Sequence, residues 1–265
     1  MNLLCNSRKK PIFAANLLNK IKMKRKIILI ISVSILCGTL QSWAQQDYKP
    51  YFSADDLPDA LAWLPAPPDT IGSQFAYDIM QYMWGKTMRD TERGEQAVAH
   101  RVTDVADMAV FFSEPFGMTI SEAATPAIFR LLVRSVPTFR STASKPKRFY
   151  LRKRPYVRFN ESTSIPWEDD ELRASGSYPS GHSIRGFGMA LVLCEVNPEQ
   201  QNALLKLGYE WGQSRVIAGL HWQSDVDASR LMAAGVFARL HTSPEFMADM
   251  AAAREEFIRI QNQNK

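Results

Sequence analysis

The chain has 265 residues, of which 46% are hydrophobic and 22% are charged, a composition typical of a globular protein with one large domain or two small ones. Its formal net charge of +5 comes from residues 1–44, which contain eight Lys or Arg residues and no acidic residue. Residues 45–265 contain 24 basic and 27 acidic residues, so the net charge of this larger part is −3. The positive overall charge is therefore no evidence for nucleic-acid binding.

Residues 1–44 have the pattern of an export signal. The basic tetrapeptide MKRK begins at Met23, the apolar run IILIISVSILCGTL follows at residues 27–40, and the small-x-small tripeptide SWA ends at Ala44. An apolar run of this length is too short to span a bilayer comfortably. We predict a periplasmic protein without stable membrane insertion after cleavage, whose translation could start at Met23. An uncleaved membrane anchor and a lipoprotein attached at Cys37 are the alternatives.

One cysteine follows the predicted signal. Cys194 lies in an apolar segment with helical character, and a single thiol cannot form an internal disulfide bond. We expect this thiol to be buried and inert rather than a nucleophile.

The rest of the chain divides into an arm and a helical body. Residues 45–72 are rich in Pro, Asp and aromatic residues, a composition typical of an extended arm that lies on the body. Residues 73–265 show helical spacing of apolar residues and no convincing strand, and Ser224 is a candidate helix cap before Asp225. The predicted helical segments are residues 73–88, 94–117, 125–141, 182–196, 198–219 and 224–240. The predicted fold class is all-α, a single-domain helical bundle.

A basic run, KPKRFYLRKRPYVR, occupies residues 145–158 and contains seven Lys or Arg residues. Such a run is usually a solvated or membrane-touching face, and its interleaved aromatic residues are also compatible with single-stranded nucleic acid. The acidic charge of an exported body argues against nucleic acid. Because Pro155 restricts the backbone directly after Arg154, we favour a small anion held in a defined place.

The segment SGSYPSGHSIRGFGMALVL, residues 175–193, passes from turn-forming residues directly into an apolar helix. A helix start leaves backbone N–H groups unpaired and carries partial positive charge. Ser180 and Gly181 could therefore seat an anion beside His182 as a proton donor. Taken alone, the segment is explained more simply by an N-cap serine, a turn glycine and a surface histidine.

Residues 208–230 contain a third group, in which Arg215 is followed by His221 and then by Asp225. A carboxylate four residues after a histidine can accept the proton of one ring nitrogen and leave the other nitrogen nucleophilic. Each residue alone has a simpler explanation, as a surface cation, a loop histidine or a helix-start charge.

Together the three segments read K-x6-R-P, P-S-G-H and S-R-x5-H-x3-D, a coincidence of too many positions to be accidental. With these motifs the chain resembles the type 2 phosphatidic acid phosphatase superfamily, which also includes the vanadium haloperoxidases. Within it, the chain looks most like the bacterial class A non-specific acid phosphatases, from about residue 74 to residue 238. The fold that this resemblance implies is an all-helical bundle.

The resemblance also implies a role for each matched residue. His221 would attack phosphorus and become a phosphohistidine, with Asp225 holding its ring. His182 would protonate the departing alcohol oxygen and later assist the attack of water. The remaining matched groups would bind the phosphoryl oxygens: Lys147, Arg154, Arg215, Ser180 and the backbone N–H of Gly181.

The function that the resemblance implies is broad-specificity hydrolysis of small phosphate monoesters. A two-step reaction at one histidine also predicts transfer to other alcohols as a side activity. Three fixed cations can stabilise a transferring phosphoryl group, so we predict no metal and no other cofactor. A vanadate-dependent haloperoxidase and a non-catalytic helical module that binds an anion are the alternatives. Self-association is left open, and His100 and His241 are expected at the surface or at helix ends.

The two candidate catalytic histidines need opposite protonation at the start of the reaction. His182 must be charged to donate its proton, whereas His221 must be neutral on its attacking nitrogen. Nearby cations favour loss of a proton from imidazolium, and a bound phosphate has the opposite effect. We therefore predict a bell-shaped pH profile on the acid side of neutrality.

Overall fold

The computed structural model describes residues 48–263. The predicted export signal, with its alternatives at Met23 and Cys37, lies outside these residues. Within the described part, no residue belongs to a β-strand, and no helix is both long and apolar enough to cross a membrane.

The protein is a bundle of α-helices, as its apolar spacing predicts. The helices are α1 (Ala60–Trp63), α2 (Ser73–Met88), α3 (Glu92–Ala99), α4 (Val105–Phe116), α5 (Pro126–Ser141), α6 (Ser144–Tyr150), α7 (Pro155–Phe159), α8 (Asp169–Arg173), α9 (Gly181–Val196), α10 (Gln201–Ile217), α11 (Gln223–Leu240) and α12 (Pro244–Gln263). Short 3₁₀ helices occur at Ala54–Asp56, Pro166–Glu168 and Pro198–Gln200.

The helices differ from the predicted segments in several places, and α6, α7, α8 and α12 lie outside those segments. The segment 94–117 forms two helices, and α4 starts where the Asp104 side chain accepts a 2.8 Å hydrogen bond from the backbone of Ala106. The predicted cap at Ser224 is wrong, because α11 already begins at Gln223. The Asp225 carboxylate accepts the backbone N–H of Trp222 at 2.9 Å, and this contact gives a partner to a backbone donor at the start of the helix.

Helix α9 is the centre of the bundle and packs against α5, α10 and α11. Its small residues allow close approach of its neighbours. A Cβ atom at Gly186 would lie 2.3 Å from Cδ1 of Trp211, so only glycine admits this indole on α10. Close packing at this point brings Trp211 beside His182, the second residue of α9.

The described part of the arm, residues 48–72, packs on the helices and belongs to the same compact unit. The backbone N–H of Tyr51 donates to Oγ1 of Thr138 at 3.0 Å, and the Tyr51 ring meets Phe246 edge-on at 5.3 Å between centroids. Leu57 and Leu64 are buried in the main hydrophobic core. The arm therefore covers apolar surface on α5 and α12 instead of extending into solvent.

Two single residues, Cys194 and His100, differ in part from expectation, and His241 agrees with it. Cys194 is only partly buried, although its burial is enough to raise the pKa of the thiol to about 11 and keep it protonated. His100 lies at the end of α3, as expected, but is 1% exposed and therefore not a surface residue. His241 lies at the end of α11 and contacts Oε2 of Glu195 at 2.8 Å through Nε2.

Candidate active site

Most of the sequence-predicted site residues line one cavity of about 130 Å³. Those that line it are Lys147, Arg154, Gly181, His182, Arg215 and His221. Ser180 and Asp225 are buried and do not line the cavity, and the backbone N–H of Ser180 donates to the carbonyl of Asp225 at 3.2 Å. Two larger hollows of about 420 Å³ elsewhere in the described part contain none of these residues. The volume of the cavity therefore does not identify it as the candidate active site, whereas the side chains that line it do.

The nucleophile candidate His221 lies in the tight turn between α10 and α11. The backbone N–H groups of Leu220 and His221 both donate to the carbonyl of Arg215, at 3.0 and 3.2 Å. The turn passes through Gly219 at a φ of +90°, a left-handed conformation that favours glycine. The chain therefore doubles back at the end of α10 and brings His221 close to Arg215.

The ring of His221 is fixed on both sides. Its Nδ1 lies 3.2 Å from Oδ2 of Asp225, and its Nε2 lies 3.1 Å from Nη1 of Arg154. Because the carboxylate can only accept and the guanidinium can only donate, the network assigns the proton to Nδ1 and the lone pair to Nε2. The arrangement is that of an oriented nucleophile whose unprotonated nitrogen faces the guanidinium of Arg154.

Asp225 is kept ionised by charged and polar neighbours. Burial alone would raise its pKa, but the Arg152 guanidinium and the hydrogen bond from His221 outweigh burial and hold the pKa well below its ordinary value. Nη1 of Arg152 lies 2.5 Å from Oδ1 of Asp225, and Nη2 lies 2.7 Å from Oδ2 of Asp78. Both carboxylates are inaccessible to solvent, so Arg152 is the charged link between two buried anions.

Asp78 extends this network to the start of α11. Its carboxylate accepts the backbone N–H of Ser224 at 2.8 Å and the Ser224 hydroxyl at 2.6 Å. Ser224 thus joins α11 to α2 rather than capping its own helix. Sequence reasoning missed Arg152, Asp78 and this contact, although Arg152 lies inside the basic run that the sequence marks out.

The basic run is divided by a turn at Leu151, whose φ of +45° is uncommon for a residue with a side chain. The turn ends α6 and places Lys147 and Arg154 on the same cavity. Nζ of Lys147 donates to the carbonyls of Gly176 and Ser177, at 2.6 and 3.2 Å. An ammonium group has three donors, so one remains for a ligand.

Arg154 is held more rigidly than Lys147. Its guanidinium donates to the carbonyls of Leu172 and Leu220 and to the hydroxyl of Ser175, at 2.9 to 3.1 Å. It is 3% exposed, and burial, the largest cause, lowers its pKa. A guanidinium fixed in this way is preorganised for an anion and pays little entropy when the anion binds.

Two buried nitrogen atoms in the cavity have no hydrogen-bond partner among the described residues: Nη1 of Arg215 and Nε2 of His182. The nearest acidic group to Arg215 is the Glu168 carboxylate, 4.0 Å from its other terminal nitrogen. A buried polar nitrogen without a partner is costly, and a ligand with acceptor oxygens in the cavity would pair with Arg215 and, once Nε2 carries a proton, with His182.

The environment of His182 favours its neutral form. Burial, the largest cause, and then the charges of Arg215 and Arg185 lower its pKa well below the usual value. Its ring stacks on Trp211 with 5.5 Å between centroids, and His100 stacks on the same indole at 4.5 Å. Burial also lowers the pKa of His100, to about 4. An anion in the cavity would offset the cations and return the pKa of His182 towards its ordinary range.

The described residues contain no cluster of three or more His, Cys, Asp or Glu side chains arranged to hold a metal ion. The polar groups that converge on the cavity are instead mainly cations and imidazoles. This combination fits a small, highly charged oxyanion, with a nucleophile and a proton donor beside it.

Comparisons with known proteins agree with this arrangement. Residues 124–246, which include every predicted site residue, match the PAP2 superfamily. A non-specific acid phosphatase of Providencia stuartii is 43% identical over 211 residues, which cover 79% of this chain and 85% of that protein. A non-specific acid phosphatase of Salmonella typhimurium is 40% identical over 78% of this chain and 84% of its own length. An acid phosphatase of Zymomonas mobilis is 33% identical over 75% of both chains.

The chain therefore belongs to the PAP2 superfamily and, within it, to the bacterial class A non-specific acid phosphatases.

The Arg152 link generates a prediction about stability. Arg152→Met leaves two buried carboxylates without this cation, so we expect the free energy of unfolding at pH 7 to fall by about 3–5 kcal/mol. The loss should shrink as the pH falls below the ordinary pKa of aspartate, because the stabilisation from the depressed pKa of Asp225 is complete above that pKa and disappears as the pH approaches the depressed one. Urea unfolding at several pH values measures both effects.

Arg254→Met is the matched control, because Arg254 pairs with Glu195 at 2.8 Å on an exposed surface. We expect it to change the unfolding free energy by less than about 1 kcal/mol. Equal losses in the two variants would show that the buried link has no special weight.

Proposed function

We propose that this acid phosphatase hydrolyses phosphate monoesters of broad specificity through a covalent phosphohistidine on His221, without a metal ion. One observation carries the proposal. The unprotonated Nε2 of His221 and two buried nitrogens without hydrogen-bond partners, on Arg215 and His182, belong to residues that line the same cavity. A phosphoryl group is the ligand that supplies acceptors to these donors and an electrophile to the nucleophile.

The phosphoryl oxygens would be bound by fixed cations. Lys147, Arg154 and Arg215 line the cavity, and Gly181 would contribute its backbone N–H, which as the first of α9 has no acceptor within the helix. Phosphoryl transfer keeps negative charge on three equatorial oxygens, so preorganised cations stabilise its transition state without forming bonds to it. Ser180 would act indirectly, because its hydroxyl caps α9 by accepting the backbone N–H of Ser183 at 3.3 Å.

In the first step, Nε2 of His221 attacks phosphorus and the bond from phosphorus to the ester oxygen breaks. The ring becomes positively charged as the P–N bond forms, and the Asp225 carboxylate on Nδ1 stabilises that charge. His182 gives its proton to the departing alcohol oxygen, so the alcohol leaves uncharged.

In the second step, His182 has lost its proton and can act as a base. It removes a proton from water, whose oxygen attacks phosphorus while the P–N bond breaks and inorganic phosphate leaves. An alcohol in place of water would give a new phosphate ester, so the same intermediate explains a phosphotransferase side activity.

We also propose that the protein is exported, on the strength of the signal pattern in residues 1–44. The mature protein recovered from its native host is expected in the periplasm, with Gln45 at its N-terminus. N-terminal sequencing measures this directly. A mature chain that retains residues 27–40 would contradict signal cleavage and favour a membrane anchor.

The nucleophile prediction uses p-nitrophenyl phosphate as substrate. His221→Ala is expected to reduce kcat by roughly a thousandfold or more, because the attacking atom is lost. Wild-type turnover should persist in EDTA, because protein cations replace a metal, and vanadate should inhibit it. His241→Ala is the matched control, since His241 is a partly buried histidine outside the cavity, and we expect near wild-type turnover.

Other outcomes separate the alternatives. No turnover by folded wild-type protein would favour the non-catalytic module, and halide oxidation by the vanadate-loaded protein would favour a haloperoxidase. Loss of turnover in EDTA would contradict metal independence, and wild-type turnover by His221→Ala would reject the nucleophile.

The pH prediction follows from the lowered pKa of His182 among the cations of the cavity. Its acid form is the active one, so activity is lost as the pH rises through its pKa. The falling limb of kcat/KM reports the free enzyme, whereas that of kcat reports the complex, in which bound phosphate raises the pKa. We expect bell-shaped profiles on the acid side of neutrality, with the falling limb of kcat at higher pH than that of kcat/KM.

The rising limb depends on His221, which must be neutral. Burial, with the charges of Arg154 and Lys147, lowers its pKa well below the usual value, so this limb should lie well below pH 6.5. Steady-state kinetics across the acid and neutral range test both limbs. Coincident falling limbs, or a kcat that rises steadily to pH 9, would contradict the assigned roles.

A further inference from the structure

The cavity contains more positive charge than a single phosphoryl group uses. Besides the three cations assigned to the transferring phosphoryl group, it is lined by Arg101, Arg140 and Arg185. Glu168 is the one acidic side chain among its lining residues, and its nearest cation is Arg215. The excess charge is therefore not balanced by carboxylates in the cavity wall.

Arg140 and Arg185 are partly buried, and neither forms an ion pair within the described part of the chain. Among the described residues, Nη1 of Arg140 donates to the Ser144 hydroxyl at 3.4 Å, and this is the one hydrogen bond that either guanidinium group forms. Burial, followed by the charge of Arg140, lowers the pKa of Arg185 to about 10, which still leaves it charged at neutral pH. Two like charges held close together without a counterion attract an anion from solution.

Both arginines lie on the His182 side of the cavity, where the leaving group would depart. Arg185 follows His182 by three residues on α9, and residues at this spacing share a helix face. Arg140 reaches the same point from the last turn of α5, because its Nε lies 2.7 Å from the position that a Cβ at Gly181 would take. The unpaired N–H groups at the start of α9 add to this positive field.

We propose that Arg140 and Arg185 form a second anion subsite, which binds a phosphate joined through an oxygen atom to the phosphoryl group that is transferred. The substrates it favours are phosphoanhydrides, such as inorganic pyrophosphate and nucleoside diphosphates. This inference rests on the proposed function of the site, since it places the leaving group relative to His221 and His182.

The reaction balances without any additional reagent. Nε2 of His221 forms a bond to the terminal phosphorus, and the bond from that phosphorus to the bridging oxygen breaks. The bridging oxygen leaves as part of a phosphate, receives the proton of His182, and is held by Arg140 and Arg185. Water then hydrolyses the phosphohistidine, so pyrophosphate and one water give two phosphates.

A second subsite also predicts a difference between substrates. The leaving phosphate of an anhydride gains negative charge in the transition state, where two guanidinium groups can stabilise it. The leaving group of p-nitrophenyl phosphate has no phosphate for these arginines to bind. The ratio of kcat/KM for pyrophosphate to kcat/KM for p-nitrophenyl phosphate therefore isolates the contribution of the subsite from that of the shared machinery.

The experiment measures this ratio in the wild-type enzyme and in Arg185→Gln, Arg140→Gln and Arg185→Lys. We expect wild-type hydrolysis of both substrates, and a fall in the ratio of about tenfold or more in each glutamine variant, because a charge-assisted contact is lost. Arg185→Lys keeps the charge and should retain an intermediate ratio. Arg148→Gln removes the same charge from an exposed position outside the cavity and should leave the ratio unchanged.

Each failure has its own signature. Absence of p-nitrophenyl phosphate turnover by the folded wild type would reject the proposed function itself. Turnover of that ester without hydrolysis of pyrophosphate would overturn only the subsite. An unchanged ratio in both glutamine variants would also overturn it. Circular dichroism of each variant checks folding, and the lysine variant tests the subsite if a glutamine variant unfolds.

Discussion

Concentrated positive charge in one small cavity is the constraint on which the chemistry of this protein depends. Lysine and arginine side chains that would be solvated on a surface are drawn together here, and their burial lowers the pKa of Lys147 and Arg215. Such a cluster is costly unless anions compensate it. On this physical ground, a small, highly charged oxyanion would relieve the cost better than a neutral or singly charged ligand.

The compensation that the protein itself supplies is placed out of reach of the substrate. Asp225 and Asp78 are fully buried, and both contact Arg152. Asp225 thus balances part of the positive charge while its second oxygen orients His221. Because the carboxylates do not line the cavity, they stabilise the cations and the His221 ring without placing negative charge in the cavity wall.

The candidate catalytic groups lie at helix ends rather than in helix interiors. His182 lies in the first turn of α9, Arg215 in the last turn of α10, and His221 in the turn before α11. Helix ends leave backbone donors and acceptors free, and a turn can present a side chain at an angle that no helix face allows. Packing of α9 against α10 through Gly186 keeps these ends together.

The sequence by itself determined the all-α class and most of the long helices, although not α12, because helical periodicity is a local property. Motif spacing also marked eight candidate site residues, six of which the structure brings to one cavity. It placed the α11 start wrongly at Ser224, and it did not indicate the buried contacts of Arg152 or the position of Arg140 and Arg185 at the cavity. Nothing in the sequence distinguishes these three arginines from solvated ones. Only the tertiary structure decided which cations share a cavity and which carboxylates compensate them. The physical reason is that burial and charge pairing depend on contacts between residues distant in sequence, such as Asp78 with Arg152 at 2.7 Å, which no local pattern encodes.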